Sequence, residues 1–214
     1  MKLQEPRLAA DPSVRELSEL LREAAEEERD ITGVRIVGGT LAEGELLSGL
    51  AFRGVIFENC RLSGCTFRKT DFTDVLFSGC DLSGCDLTGI HMLRCAFQSC
   101  KLVGTVLQEG KWRYVSFRDC RMTYANFGAS QWKTVDMLDS DLRQTVLSFC
   151  RTEGWTLKRV NLAGAALQKT SLSGVDLREC ELEGLQLMGE ELRGAVVTPA
   201  QAAELAKLLG LIVK

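Results

Sequence analysis

FRGVIFENCRLSGCTFRKTDFTDVLFSGCDLSGCDLTGIHMLRCAF, residues 52–97, decides the fold. Every fifth residue from Phe52 is a large apolar side chain: Phe57, Leu62, Phe67, Phe72, Phe77, Leu82, Leu87, Met92 and Phe97. The series runs to Val197 without a slip, thirty positions of which only Thr152 is polar. Two residues before each of these centres lies a column of small or apolar residues, and all nine cysteines fall in it, from Cys60 to Cys180. A column that accepts Cys, Val, Thr, Ala and Ser describes a small, mostly apolar volume, in which a free thiol packs as a small hydrophobe. Gly recurs two residues after the centre. Asp or Asn often precedes it (Asp71, Asp81, Asp86, Asn126, Asp136, Asp141, Asn161, Asp176), and both residue types suit bends. A period of five fits neither a helix nor a flat strand. A chain that turns a corner every five residues closes a square after four, so residues twenty apart stack.

Stacking predicts ladders, among them Phe57, Phe77, Phe97 and Phe117 on one side and Cys60, Cys80, Cys100 and Cys120 on another. Two oversized residues come with small neighbours, Trp112 with Gly110 and Trp155 with Thr152. Upstream the period continues as Ile31, Ile36, Leu41 and Leu46, one residue out of register, which places an irregular corner in 42–51. A solenoid exposes an edge and an apolar section at each end and needs caps. Residues 13–29 read as a helix with a Ser13/Glu16 capping box and a stripe of Val14, Leu17, Leu21 and Ala24. Thr198, Pro199 and Gln201 open a second helix over 199–209, stopped by Gly210. The organisation is therefore 1–30 N-terminal segment, 31–197 repeat region and 198–214 C-terminal helix with a short strand.

CDLSGCDLTG (80–89) and VNLAGAALQKTSLSGVDLREC (160–180) resemble the pentapeptide-repeat family. That resemblance implies an all-β fold, a right-handed quadrilateral parallel β-helix with capping helices. The ending LRGAVVTPAQAAELAKLLGLIVK (192–214) is similar to the C-termini of the Qnr and MfpA type, bacterial proteins that protect DNA gyrase from inhibitors. In that group the terminal element joins two protomers, which implies a homodimer through Ala202, Leu205, Leu208 and Leu209; the plainer reading is a cap on a monomer. Gyrase is then a possible partner, reached by imitation of DNA.

Charge counting tells against a strongly acidic mimic. The chain carries 26 bases and 29 acids, but residues 31–197 hold 19 of each. No apolar run is long enough for a signal peptide or a membrane span, so a cytoplasmic protein with reduced thiols is expected. Cysteines five apart lack zinc-motif spacing, and the single histidine, His91, stands just before a centre in a column expected to point outward, where the sequence shows neither the pocket nor the orienting partner a general base needs. No nucleotide-binding or hydrolase motif occurs, and a filled interior leaves no cofactor cavity. The expectation is no enzyme, no cofactor and no metal, but a protein-binding scaffold with an unidentified protein partner. Two surfaces are candidates. One is basic and aromatic, with Arg113, Tyr114, Arg118, Arg121, Tyr124 and Lys133 outward, although such charges can spread over all four faces; direct nucleic-acid binding is not expected. The other is an outward apolar stripe of Ile56, Leu76 and Ala96, either a partner site or a dock for the N-terminal segment.

Overall fold

The computed structural model describes residues 2–27, 30–208 and 210–213. In chain order it contains β1 (Ser13–Val14), α1 (Leu17–Glu27), β2 (Ile31–Thr32), β3 (Val34–Val37), β4 (Ala51–Arg53) and β5 (Ile56–Glu58). Five eight-residue strands follow: β6 (Asp71–Ser78), β7 (His91–Gln98), β8 (Lys111–Arg118), β9 (Gln131–Leu138) and β10 (Arg151–Lys158). The chain closes with α2 (Pro199–Leu208). All ladders are parallel. From β6 to β10 the paired residues are twenty apart, as in Phe77↔Phe97 and Trp112↔Trp132, and only the corner residue of each strand (Asp74, Arg94, Tyr114, Thr134, Gly154) is left out of the ladder. The chain is a four-sided parallel β-solenoid.

Each coil has two kinds of side. The long strands cover the first two sides, the first centred on Phe72, Met92, Trp112 and Trp132 and the second on Phe57, Phe77, Phe97 and Phe117. The third and fourth sides, centred on Leu82 and Leu87 in one coil, are held by isolated bridges such as Asp81↔Lys101 and Asp86↔Val106. After those centres the corner is a type II turn: the Cys85 N–H bonds the Leu82 carbonyl at 3.1 Å, with Gly84 at φ +66°. Six of the eight Asp or Asn residues before a centre brace the bend, for example Asp81 Oδ1 accepting from the Ser83 N–H at 3.0 Å. The other two, Asp71 and Asp136, lie inside the long strands, whose backbone already belongs to the ladder.

The inward columns form one continuous dry shaft. All nine cysteines are buried and unbridged. The Phe57–Phe77–Phe97–Phe117 ladder stacks at 4.8, 4.7 and 4.7 Å between centroids, with planes within 10°. The small column does more than fill space. Cys80 Sγ donates to the Phe57 carbonyl at 3.4 Å, Thr105 Oγ1 to that of Leu82 at 2.8 Å, and Ser130 Oγ to that of Leu107 at 2.9 Å. Cys, Thr and Ser alternate there because each is small and each carries a donor for a buried carbonyl. Trp112 is accommodated because Gly110 has no side chain: a Cβ there would lie 2.2 Å from the indole Nε1.

The ends correct the sequence reading in three places. First, Leu46 is not inward; it is 77% exposed, and Leu47 takes the core position. Pairing is offset by 21 at Thr40↔Arg61 and by 20 at Leu46↔Thr66. The extra residue is absorbed in 42–44, where Gly44 adopts φ +85° and the Glu45 N–H closes on the Ala42 carbonyl. Second, Ser13 does not cap a helix. It and Val14 extend the sheet beside Val34 and Arg35, and α1 opens only at Leu17, burying Leu17, Leu20 and Ala24 while Val14 stays exposed. Residues 28 and 29 of the expected helix lie outside the described residues. Third, a short turn of helix at Glu190–Leu192 interrupts the last coil and turns Glu191 inward to 5% exposure. Its carboxylate accepts the Lys169 and Met188 N–H groups, both at 2.9 Å. Burial pushes this carboxyl up, but backbone donors, with that of Lys169 foremost, outweigh it and hold it below the ordinary glutamate value. At the start of α2, Thr198 and Gln201 exchange two side-chain-to-backbone hydrogen bonds.

Candidate binding surfaces

Because residues twenty apart share a column, the outward residues sort cleanly by side. Lys111, Arg113 and Lys133 meet on the first side. Arg118 lies past a corner on the second. Arg121 is on the third, and Tyr124 stands at the corner beyond it, 67% exposed. The expected basic and aromatic surface is thus divided among three sides.

Tyr114 is not outward in the sense expected; it is 8% exposed, with the Arg113 guanidinium 5.5 Å from its ring centroid. Ala96 is likewise buried, at 1%, as is the next residue of its column, Ser116, while Ile56 and Leu76 are half-buried. The N-terminal segment lies along these columns. The Arg7 N–H bonds Asp74 Oδ1 at 2.9 Å, and Glu5 approaches Arg118 at 3.5 Å. The Asp74 that takes the Arg7 N–H is also paired with Arg94, at 2.6 Å and only 14–15% exposed. Burial works against the charge on Asp74, yet Arg94 and the Arg7 N–H hold its carboxyl below the usual aspartate value. The N-terminal segment is therefore a strap anchored at Asp74 and at Arg118, on either side of the apolar stripe.

Sequence reasoning missed Arg151. It is two coils beyond Lys111 in the same column and lies with Lys111, Arg113, Gln131, Lys133, Thr152 and Glu153 around an open depression of about 410 Å³. Counting by twenty rather than along the chain would have found it. At the C-terminal end, Leu205 is buried against the last coil, while Ala202, Leu208, Leu211, Ile212 and Val213 are exposed. Leu209 lies outside the described residues. A cleft of about 500 Å³ runs between α2 and the last coil, lined by Leu182, Leu205 and Leu208 among others.

Among the described residues no three His, Cys, Asp or Glu side chains gather as a metal-binding set, and no helix is long and apolar enough to cross a membrane. Burial pushes the Cys95 thiol up to about 12 and that of Cys150 to about 11, values unsuited to a nucleophile near neutral pH.

Models of pentapeptide repeats match residues 47–91, 70–147 and 157–189. The chain belongs to the pentapeptide-repeat family. No curated protein sequence matches it. Among solved structures, a trypsin-treated variant of QnrB1, a plasmid-mediated fluoroquinolone resistance protein, is 22% identical. The match covers 86% of this chain and 91% of that one, with a TM-score of 0.55. HetL, a pentapeptide-repeat protein involved in heterocyst differentiation regulation in the cyanobacterium Nostoc, is 19% identical over 86% and 97%, with a TM-score of 0.44. At 22% identity the likeness to QnrB1 is one of fold.

Proposed function

We propose that this pentapeptide-repeat protein is a non-enzymatic scaffold that binds proteins through its flat outer sides and pairs with a second copy through its C-terminal element. One observation carries the reading: the interior is packed by the chain's own side chains, so the described clefts are open depressions between outward residues or at the ends. Pairing is supported by the apolar run Leu208, Leu211, Ile212 and Val213, left exposed beyond the last coil beside an apolar cleft. Light scattering over a dilution series tests it. The intact chain is expected at twice its 23.6 kDa, and a chain ending at Val197 at once its own mass. A monomer in both cases defeats the pairing.

Gyrase protection by DNA imitation is the alternative function. It calls for a continuous acidic face, whereas no outward column among the described residues holds more than two acids in succession, the longest being Asp119 and Asp139. A gyrase supercoiling assay with a fluoroquinolone decides it: no rescue is expected, and rescue would favour the alternative.

A further inference from the structure

We propose that the first side of the solenoid, across β8, β9 and the start of β10, is a docking site for an extended acidic segment of a partner protein. The proposal rests on the binding-scaffold reading and names the chemistry of the partner.

Elsewhere on the rod a cation commonly has an acid one coil away in the same column: Arg94 with Asp74, Lys101 with Asp81, Arg159 with Asp139. Here the arrangement differs. Arg113 is in register with Lys133, a like-charge neighbour across one rung, and Lys111 and Arg151 flank Gln131 in the parallel column. Like charges opposed on a sheet are destabilising. Only Lys133 has an acid, Glu153 at 3.1 Å. Among the described residues, Lys111, Arg113 and Arg151 have no carboxylate within salt-bridge distance. Four cations against one anion thus surround the 410 Å³ depression, whose floor includes Thr152, the one polar centre in the series.

The spacing selects the ligand. Lys111 and Arg113 are two residues apart on one strand, hence about 6.6 Å apart along it. Alternate side chains of an extended peptide project to one side at the same interval, so acids at every second position meet cations without strain on either chain. Single-stranded nucleic acid fits less well because it needs aromatic faces for its bases. Trp112 and Trp132 line the depression from below but are only 2–3% exposed, too little to offer a ring face to a base, and Tyr114 is buried. Charge complementarity of this kind sets association rate and specificity and is sensitive to salt.

The test uses the full chain and three labelled probes, an alternating Glu-Thr peptide, an alternating Lys-Thr peptide and oligothymidylate, titrated at low and physiological salt. The Glu-Thr peptide is expected to bind, more weakly as salt rises, and to lose about tenfold or more in affinity in the Arg113→Glu/Lys133→Glu double variant. An Arg61→Glu/Arg121→Glu variant, reversed on the third side, is expected to bind as the parent does. Circular dichroism checks that both variants keep the sheet. No binding of the Glu-Thr peptide at low salt, equal loss in both variants, or tighter binding of oligothymidylate overturns the proposal. If the peptide fails while the intact chain still pairs, only the acidic partner is lost; if the chain is also monomeric, the pairing reading falls with it.

Discussion

Replacing Phe97 tests whether the aromatic ladder holds the coils together or merely fills the shaft. Phe97 is 2% exposed and stacks on both neighbours, Phe77 and Phe117, at 4.7 Å. Truncation to Ala removes its buried surface and leaves a cavity that β7, paired on both edges, cannot close. The expected loss is about 3–5 kcal/mol. Phe97→Leu separates packing from stacking. Leucine already occupies this ladder at Leu157 and Leu177, both buried, so burial is largely retained while two ring contacts disappear. At about 0.5–1.5 kcal/mol each, these amount to a loss of about 1–3 kcal/mol. Guanidinium unfolding followed by far-ultraviolet circular dichroism gives both values from the midpoints, provided the slopes agree. An Ala variant within about 1 kcal/mol of the parent would refute the packing argument. A Leu variant as damaged as the Ala variant would refute the separate value given to stacking.

Other perturbations probe other parts of the fold. Gly110→Ala is expected to cost about 1–3 kcal/mol in thermal or chemical unfolding, since its Cβ would collide with the Trp112 indole; a neutral result would mean that the tryptophan repacks freely. Glu191→Gln should cost about 1.5–3 kcal/mol at neutral pH, because an amide cannot accept two N–H bonds through both of its terminal atoms. The folded-state carboxyl titrates lower than in the unfolded chain, so its contribution is present above about pH 4.3 and fades as pH falls through the folded value. The gap between parent and variant should therefore narrow in acid, and a constant gap would contradict the assignment. The nine thiols should resist Ellman's reagent in the native protein and all react in denaturant; fast native labelling would show that the shaft is open.

The repeat was legible because each inward column sees one fixed environment, so Cys60 through Cys180 could be placed by position alone. Local signals failed where tertiary pairing competed with them. Ser13 has the residues of a helix cap, yet its backbone is worth more to the sheet beside Val34. Leu46 and Leu47 are equivalent as letters, and only the extra residue in 42–44 chooses between them. Ala96 and Tyr114 stand in columns that point outward yet are buried, and the strap anchored at Asp74 and Arg118 is something nothing in the period announces. Nothing in the period singles out Glu191, because its burial depends on a helical turn that breaks the repeat. Of the basic surface, Arg113 and Lys133 were named from the sequence while Arg151 and the grouping were not, since proximity follows steps of twenty and not stretches of chain.

The square section has a consequence for how such a rod can change. The apolar pattern of its inside repeats every five residues, its outside only every twenty. Duplicating one pentapeptide, for instance between Leu147 and Thr152, would leave every downstream centre pointing into the shaft while rotating the whole downstream surface by a quarter turn. Glu153 would leave Lys133 and Arg159 would leave Asp139, and in the shaft the Trp155 ring would leave Trp132 while β10 came to lie over a side held by isolated bridges. The azimuth of the outer surface is thus set by the count of the chain, and it is held by the ion pairs between coils, by the long-strand ladders and by the ring contacts inside.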